Sequence, residues 1–391
     1  MRIPVQTAFT GVLAALVGFA SSFAVVLQGL GAVGATPGQA ASGLMAVSIG
    51  MGLCSLILSL VYRMPIAAAW STPGAALLAA SAMPEGGFAA AVGAFLVSSV
   101  LLICAGLWKP LGRMVSAIPA AIANAMLAGV LLGLCLAPVK AIAFDPWLGL
   151  PILLAWIIAG RIHKLAAVPA ALIAFVIVTV IGVDHAGGVA INWQTLLPQL
   201  EFVTPRFEVA SLLGLALPLF LVTMASQNIP GIAVLQVNGY QPKPGPLFAA
   251  TGLASLLTAP FGAHATNLAA ITAAMCAGPD AHPDPSKRWI AAAVNGGFYV
   301  LFGLVAGGVT ALVALAPVVL IQAVAGLALV GSFAGSAMAA FQDLERREAA
   351  ALTFLVTASG LSFHGISGAF WGLLAGVAML GLKRIGSRPK A

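Results

Sequence analysis

Three short runs place clustered polar side chains inside apolar sequence: Trp70-Ser71-Thr72-Pro73-Gly74, Ser226-Gln227-Asn228 and His264-Ala265-Thr266-Asn267. The first has the chemistry of a helix start. A residue before proline is pushed to extended geometry, proline suits the first helical position, and Thr72 is a good N-cap. A helix is expected from Pro73 to about Ala82, where Pro84 and Gly86-Gly87 follow. Ten helical residues rise ~15 Å, half of a ~30 Å hydrocarbon layer, so this helix would begin near mid-membrane. Phe261–Gly278 reads the same way, with Thr266 or Asn267 as the cap. Free backbone N–H groups and a partial positive charge at such helix starts favour an anion. Trp70, Ser71, Thr72, His264, Ala265, Thr266 and Asn267 are therefore candidate ligand-binding residues. Gln227 and Asn228 bring amides that lipid cannot satisfy, so they bind substrate or bond between helices. Ser22 holds the analogous place in the first apolar run, with Ser21 and Gln28 beside it, and Phe19, Phe23 and Trp70 can supply an apolar wall. His264 is the one side chain here that titrates near neutral pH, with an ordinary value of about 6.5. A bound anion would favour its proton, which makes His264 a candidate for proton coupling; otherwise it is a neutral hydrogen-bond donor.

The elements that hold these runs must cross a membrane. Of 391 residues, 61% are hydrophobic and 7% charged, and the mean hydropathy is +1.09. A soluble protein carries about 25% charged residues, so a soluble enzyme, a nucleic-acid binder and a disordered scaffold are excluded. The net charge of +7 is spread over short loops and forms no patch for nucleic acid. The four cysteines lie within apolar runs and suggest neither disulfides nor a metal site. No cofactor motif is present.

Fourteen apolar runs can be separated, near 9–30, 40–62, 70–82, 87–108, 116–138, 147–160, 165–183, 209–231, 245–259, 266–278, 288–308, 312–333, 348–362 and 366–382. The division of Trp289–Ser332 rests on length alone, because that stretch has no charge. With both termini in the cytoplasm, fifteen of the seventeen Lys and Arg residues fall on the cytoplasmic side, and only Lys140 and Arg206 fall opposite. The polar stretch Asp184–Glu208 divides the chain into halves of seven spans each. An odd number per half makes them inverted repeats, and paired interruptions at matching positions point to a transporter site.

Ala35-Thr36-Pro37-Gly38-Gln39-Ala40, Ala69-Trp70-Ser71-Thr72-Pro73-Gly74-Ala75, Ser226-Gln227-Asn228-Ile229-Pro230-Gly231 and Phe261-Gly262-Ala263-His264-Ala265-Thr266-Asn267-Leu268-Ala269 occur in this order. Together they closely resemble the bacterial benzoate membrane transporter family of the BenE type, over nearly the whole chain. The resemblance implies proton-driven uptake of benzoate or a related aromatic carboxylate across the inner membrane. It also implies distant similarity to the uracil and nucleobase–ascorbate permeases, whose fourteen spans form a core domain and a gate domain and which are often dimers. On that pattern residues 1–110 and 209–310 would be core, and 111–208 and 311–391 gate. Permeases of that kind carry glutamates on the eighth and tenth spans; this chain has Gln227 and Thr266 there. Absence of a carboxylate suits an anionic ligand and argues against a nucleobase.

Other readings are a carrier of the same fold for an inorganic anion such as sulfate, and an intramembrane enzyme. The apolar surroundings, without a nearby Arg or Lys, favour an amphipathic organic acid. The chain has no His-Glu-x-x-His, no Gly-x-Ser-x-Gly, no paired intramembrane aspartates and no Walker A loop.

Overall fold

The computed structural model describes residues 4–108, 110, 119–163, 166–182, 199–363 and 366–386. His185, His364, Asp184 and the expected domain boundary after residue 110 lie outside the described residues. The chain is an all-α polytopic membrane protein of two inverted seven-span repeats, with a core and a gate. Among the described residues, six helical stretches are long and apolar enough to cross a membrane unaided, and shorter apolar helices and two half-helices accompany them.

The first repeat opens with α1 (Val5–Ala20) and α2 (Phe23–Ala32), one span broken at Ser21-Ser22. Helix α3 (Pro37–Tyr62) begins with a capping box: Thr36 accepts from Gln39 N, and the Gln39 side chain accepts from Thr36 N. Strand β1 (Ala68–Trp70), half-helix α4 (Thr72–Ala79) and α5 (Gly87–Leu107) follow. Next come α6 (Ala120–Cys135), α7 (Ala137–Phe144), α8 (Pro146–Ile162) and α9 (Ala167–Ile177), the last continued by a π-helical turn to Gly182.

The second repeat has α10 (Val209–Val237), α11 (Pro244–Thr258), β2 (Thr266–Leu268), half-helix α12 (Ile271–Ala277), α13 (Trp289–Leu304) and α14 (Ala306–Ala314). It closes with α15 (Val318–Phe341), α16 (Arg347–Ala358), the short strands β3 (Ser362–Phe363) and β4 (Ile366–Ser367), and α17 (Gly368–Gly386). The charge-free stretch from Trp289 thus divides differently from the expected spans. Pro317 precedes α15, which runs on past Ser332 to Phe341 because no charge or further proline stops it before Asp343.

Two groups of helices emerge from the packing. Helices α1, α3, α5, α11 and α13 pack together, as do α6, α15, α16 and α17, with α8 and α9 beside them. Small residues permit the closest approach. A Cβ on Gly52 would lie 2.6 Å from Gly296 O, and one on Gly296 2.5 Å from Gly52 O, so α3 and α13 touch backbone to backbone. The connection between repeats is pinned where it is described: Val203 N donates to Pro260 O and Arg206 N to Ala89 O.

Candidate functional site

The two half-helices meet through their strands. β1 and β2 are antiparallel, with Ala68 opposite Leu268, Ala69 opposite Asn267 and Trp70 opposite Thr266. Extended backbone at this depth has no water to bond, so each strand satisfies the other. The ribbon is extended by Ser71 N donating to Ala265 O and Ala269 N donating to Ala67 O. A serine from the neighbouring long helix clamps each strand. Ser55 on α3 accepts from Ala68 N at 2.7 Å and donates to Ala68 O; Ser255 on α11 accepts from Thr266 N at 2.8 Å and donates to Thr266 O. The same device at matching places of the two repeats is the inverted symmetry at atomic scale.

The cap of α4 is Ser71, whose hydroxyl accepts from Gly74 N at 3.1 Å. The sequence reading gave that role to Thr72 and began the helix one residue later. Ser71 takes the cap, and Thr72 lines the cavity instead. The second half-helix differs more. Thr266 and Asn267 are strand residues rather than caps, and α12 starts only at Ile271 after Ala270, with no side-chain cap. Without a proline to fix its first turn, that segment remains extended long enough to pair with β1.

A cavity of about 220 Å³ opens beside the ribbon. Ser21 and Ser22 from the break between α1 and α2, Trp70 and Thr72 from the first crossing, Gln227 from α10 and Ile271 and Thr272 from the second crossing line it. Tyr299 of α13 forms part of the wall, and Pro169 of α9 and Ser332 of α15 face it from the other helix group. None of its lining residues is Lys, Arg, Asp or Glu. The Trp70 indole N–H donates to Ser22 Oγ at 2.8 Å, while its ring lies 5.3 Å from Phe19 and 6.4 Å from Tyr299. Gln227 belongs to a π-helical turn, Met224–Asn228, a feature that frequently accompanies functional sites. Hydroxyls and an amide against an aromatic wall, beside the starts of two half-helices, suit a flat anion with an apolar body. Among the described residues no cluster of His, Cys, Asp and Glu could hold a metal ion.

A profile described as benzoate membrane transport protein matches residues 2–382. The chain belongs to the benzoate membrane transport family. It is 42% identical over 374 residues to the inner membrane protein YdcO of Escherichia coli, covering 96% of this chain and 95% of that one. It is 35% identical over 367 residues to the benzoate membrane transport protein of Acinetobacter baylyi, covering 94% and 92%. Among solved structures, it resembles the transmembrane domain of the cyanobacterial bicarbonate transporter BicA, with a TM-score of 0.59, 16% identity and 97% and 96% coverage. The murine anion transporter Slc26a9 in an inward-facing state gives a TM-score of 0.65 at 13% identity, covering 98% of this chain and 69% of that one. The family consists of membrane transporters and not enzymes.

In this member of the benzoate transport family, the candidates from sequence fall into two groups. Trp70, Thr72, Gln227 and Ser22 line the cavity. Ser71, Asn228, His264, Ala265, Thr266, Asn267 and Phe19 stand behind it, all buried. Asn228 Oδ1 accepts from Leu268 N at 2.8 Å, tying α10 to β2. His264 is 1% exposed, with Nε2 3.1 Å from Ser71 O, and Nδ1 has no partner. Ser71 Oγ in turn meets Thr223 Oγ1 of α10 at 2.8 Å. Both polar atoms of the Asn267 side chain are buried without partners. Tyr299, Thr272 and Ser332 were not anticipated. The signal for Tyr299 was its rarity, since the chain has three tyrosines and this one sits mid-span. Gly18 bears on it directly, because a Cβ there would run into the Tyr299 hydroxyl.

Proposed function

We propose that this protein takes up benzoate or a related aromatic carboxylate across the bacterial inner membrane together with a proton. The observation that carries the reading is the cavity at the crossing of the two strands, where the start of α4 meets an aromatic wall with no charged side chain. The carboxylate sits against Thr72, and the ring lies along Trp70 and Tyr299. The naming of a relative as a benzoate membrane transport protein supports the substrate class, and YdcO's naming as an inner membrane protein supports the location. The excess of basic residues on one side supports cytoplasmic termini.

Transport follows from movement of the core, built on spans one to four and eight to eleven, against the gate formed by the rest. The position of the cavity supports this, because α9 and α15 of the gate close it opposite the two crossings. His264 carries the proton. It lies one residue behind the cavity wall, bonded to the carbonyl of the residue before Thr72. Its unpartnered Nδ1 is the atom that gains the proton.

The test is uptake of labelled benzoate into proteoliposomes, with and without an inward proton gradient, against unlabelled salicylate, uracil and sulfate. Accumulation that needs the gradient and yields only to aromatic acids is the expected result. Competition by sulfate would turn the assignment to an inorganic anion, the reading suggested by fold neighbours named as bicarbonate and anion transporters. Competition by uracil would turn it to a nucleobase.

A further inference from the structure

A second cavity, of about 310 Å³, lies away from the crossing, on the outer surface between α3 and α11. Gly50, Leu53, Ile57, Leu253, Ala254 and Leu257 line it. Its walls are almost wholly apolar, yet they are open: Ile57 is 55% and Leu257 64% exposed. We propose that this groove holds one acyl chain of an anionic phospholipid, whose headgroup is bound by Arg63 and Lys243.

Length is the first argument. The groove begins at Ile49-Gly50, the midpoint of the 26-residue helix α3, and runs to Leu58. Nine residue steps span ~14 Å, and one leaflet of hydrocarbon is ~15 Å deep. The groove therefore covers a single leaflet, from mid-membrane to one surface, the reach of one lipid tail.

Charge is the second. A Cβ on Gly43 would face Gly262 O, and one on Gly50 would face Thr258 and Ala254, so α3 and α11 run antiparallel. Continuing that register brings Arg63, just past the end of α3, level with Lys243, just before the start of α11. Both are exposed. Neither takes part in the ion pairs found among the described residues, Lys287–Asp284 and Arg346–Asp343. The open end of the groove thus reaches the same membrane surface as two cations that form no ion pair among the described residues.

Backbone conformation is the third. Among the described residues Arg63 is the one non-glycine residue with positive φ, at 53°. Helices that end in the left-handed conformation usually place glycine there. Here the position keeps a long cation instead, and its guanidinium lies 4.4 Å from the Trp289 ring centroid, held at the interface. A phosphate accepts from guanidinium and ammonium donors, and each basic group near an anionic surface strengthens binding by about fivefold, ~1 kcal/mol.

The experiment is native mass spectrometry of the purified full chain, delipidated and then titrated with phosphatidylglycerol or phosphatidylcholine. Wild-type protein is expected to retain phosphatidylglycerol in preference to phosphatidylcholine. Arg63→Gln with Lys243→Gln should erase the preference, Arg63→Lys should keep most of it, and Ala254→Phe, which fills the groove, should remove retention of both lipids. The substituted cations are exposed, so folding is checked by the elution profile of each variant. Undiminished preference in the double variant would overturn the headgroup assignment, and unchanged retention in Ala254→Phe the groove itself. Cross-linking of Leu253→Cys to a second copy in liposomes would overturn the lipid and give the face to a dimer.

Discussion

Replacing Thr72 by glutamate puts a fixed negative charge where α4 begins and where the proposed carboxylate sits. Benzoate affinity, measured by calorimetry, is expected to fall by more than about tenfold, ~1.4 kcal/mol. Unchanged affinity would remove the half-helix from the binding site. His264→Gln preserves a donor that can reach Ser71 O but cannot accept a proton near neutral pH. That variant is expected to bind benzoate and to let it equilibrate, while accumulation no longer follows the pH gradient. Proton-driven accumulation of normal size in His264→Gln would eliminate this residue as the carrier. At this scale the sequence singled out residues that the structure brings together around one crossing. It could not show that Thr72 faces the cavity while Ser71 caps the helix, because two adjacent hydroxyl residues before proline satisfy the same local rules.

Among the elements, Gln227 and Asn228 are neighbours with opposite duties. Gln227 lines the cavity; Asn228 is fully buried and bonds Leu268 N of the second strand. Asn228→Ala leaves that N–H buried without a partner and is expected to cost about 1–3 kcal/mol of stability, read as a lower Tm in detergent. Gln227→Ala is expected to leave Tm near wild type and weaken benzoate binding. The reverse pattern would exchange their roles. The π-helical turn that contains both had no sequence signature, since it arises from one extra residue in a helix and not from a residue type. The proline in the first turn of α4 did have one, and the start of that half-helix was legible to within a residue, although it ends at Ala79, three residues before the expected Ala82. The second crossing was not, because Thr266–Leu268 pair with a strand nearly two hundred residues away and no local pattern encodes such a partner.

For the whole molecule, composition and the distribution of basic residues made the span number and the repeat legible, since both are averages over many residues. Tyr299 and Ser332 were not, because a charge-free stretch does not reveal which face of a helix is turned inward. The lining carries no fixed charge, and His264 is the single histidine at the crossing. If His264 carries the proton as proposed, one proton accompanies one carboxylate and a complete cycle moves no net charge. Proteoliposomes clamped at different potassium diffusion potentials are expected to take up benzoate at the same rate at fixed pH gradient. A rate that rises with inside-negative potential would require more than one proton per anion.

The bond from the Trp70 indole to Ser22 has a photophysical consequence. Indole emission follows the polarity and hydrogen bonding around its N–H, and Trp70 is 3% exposed in the wall against which the ring of the substrate would lie. The protein therefore carries its own optical reporter. Benzoate should change the intensity of one emitter among seven tryptophans, and Trp70→Phe should abolish that change while the other six continue to fluoresce. A saturable signal that survives in Trp70→Phe would place the aromatic ligand elsewhere in the molecule.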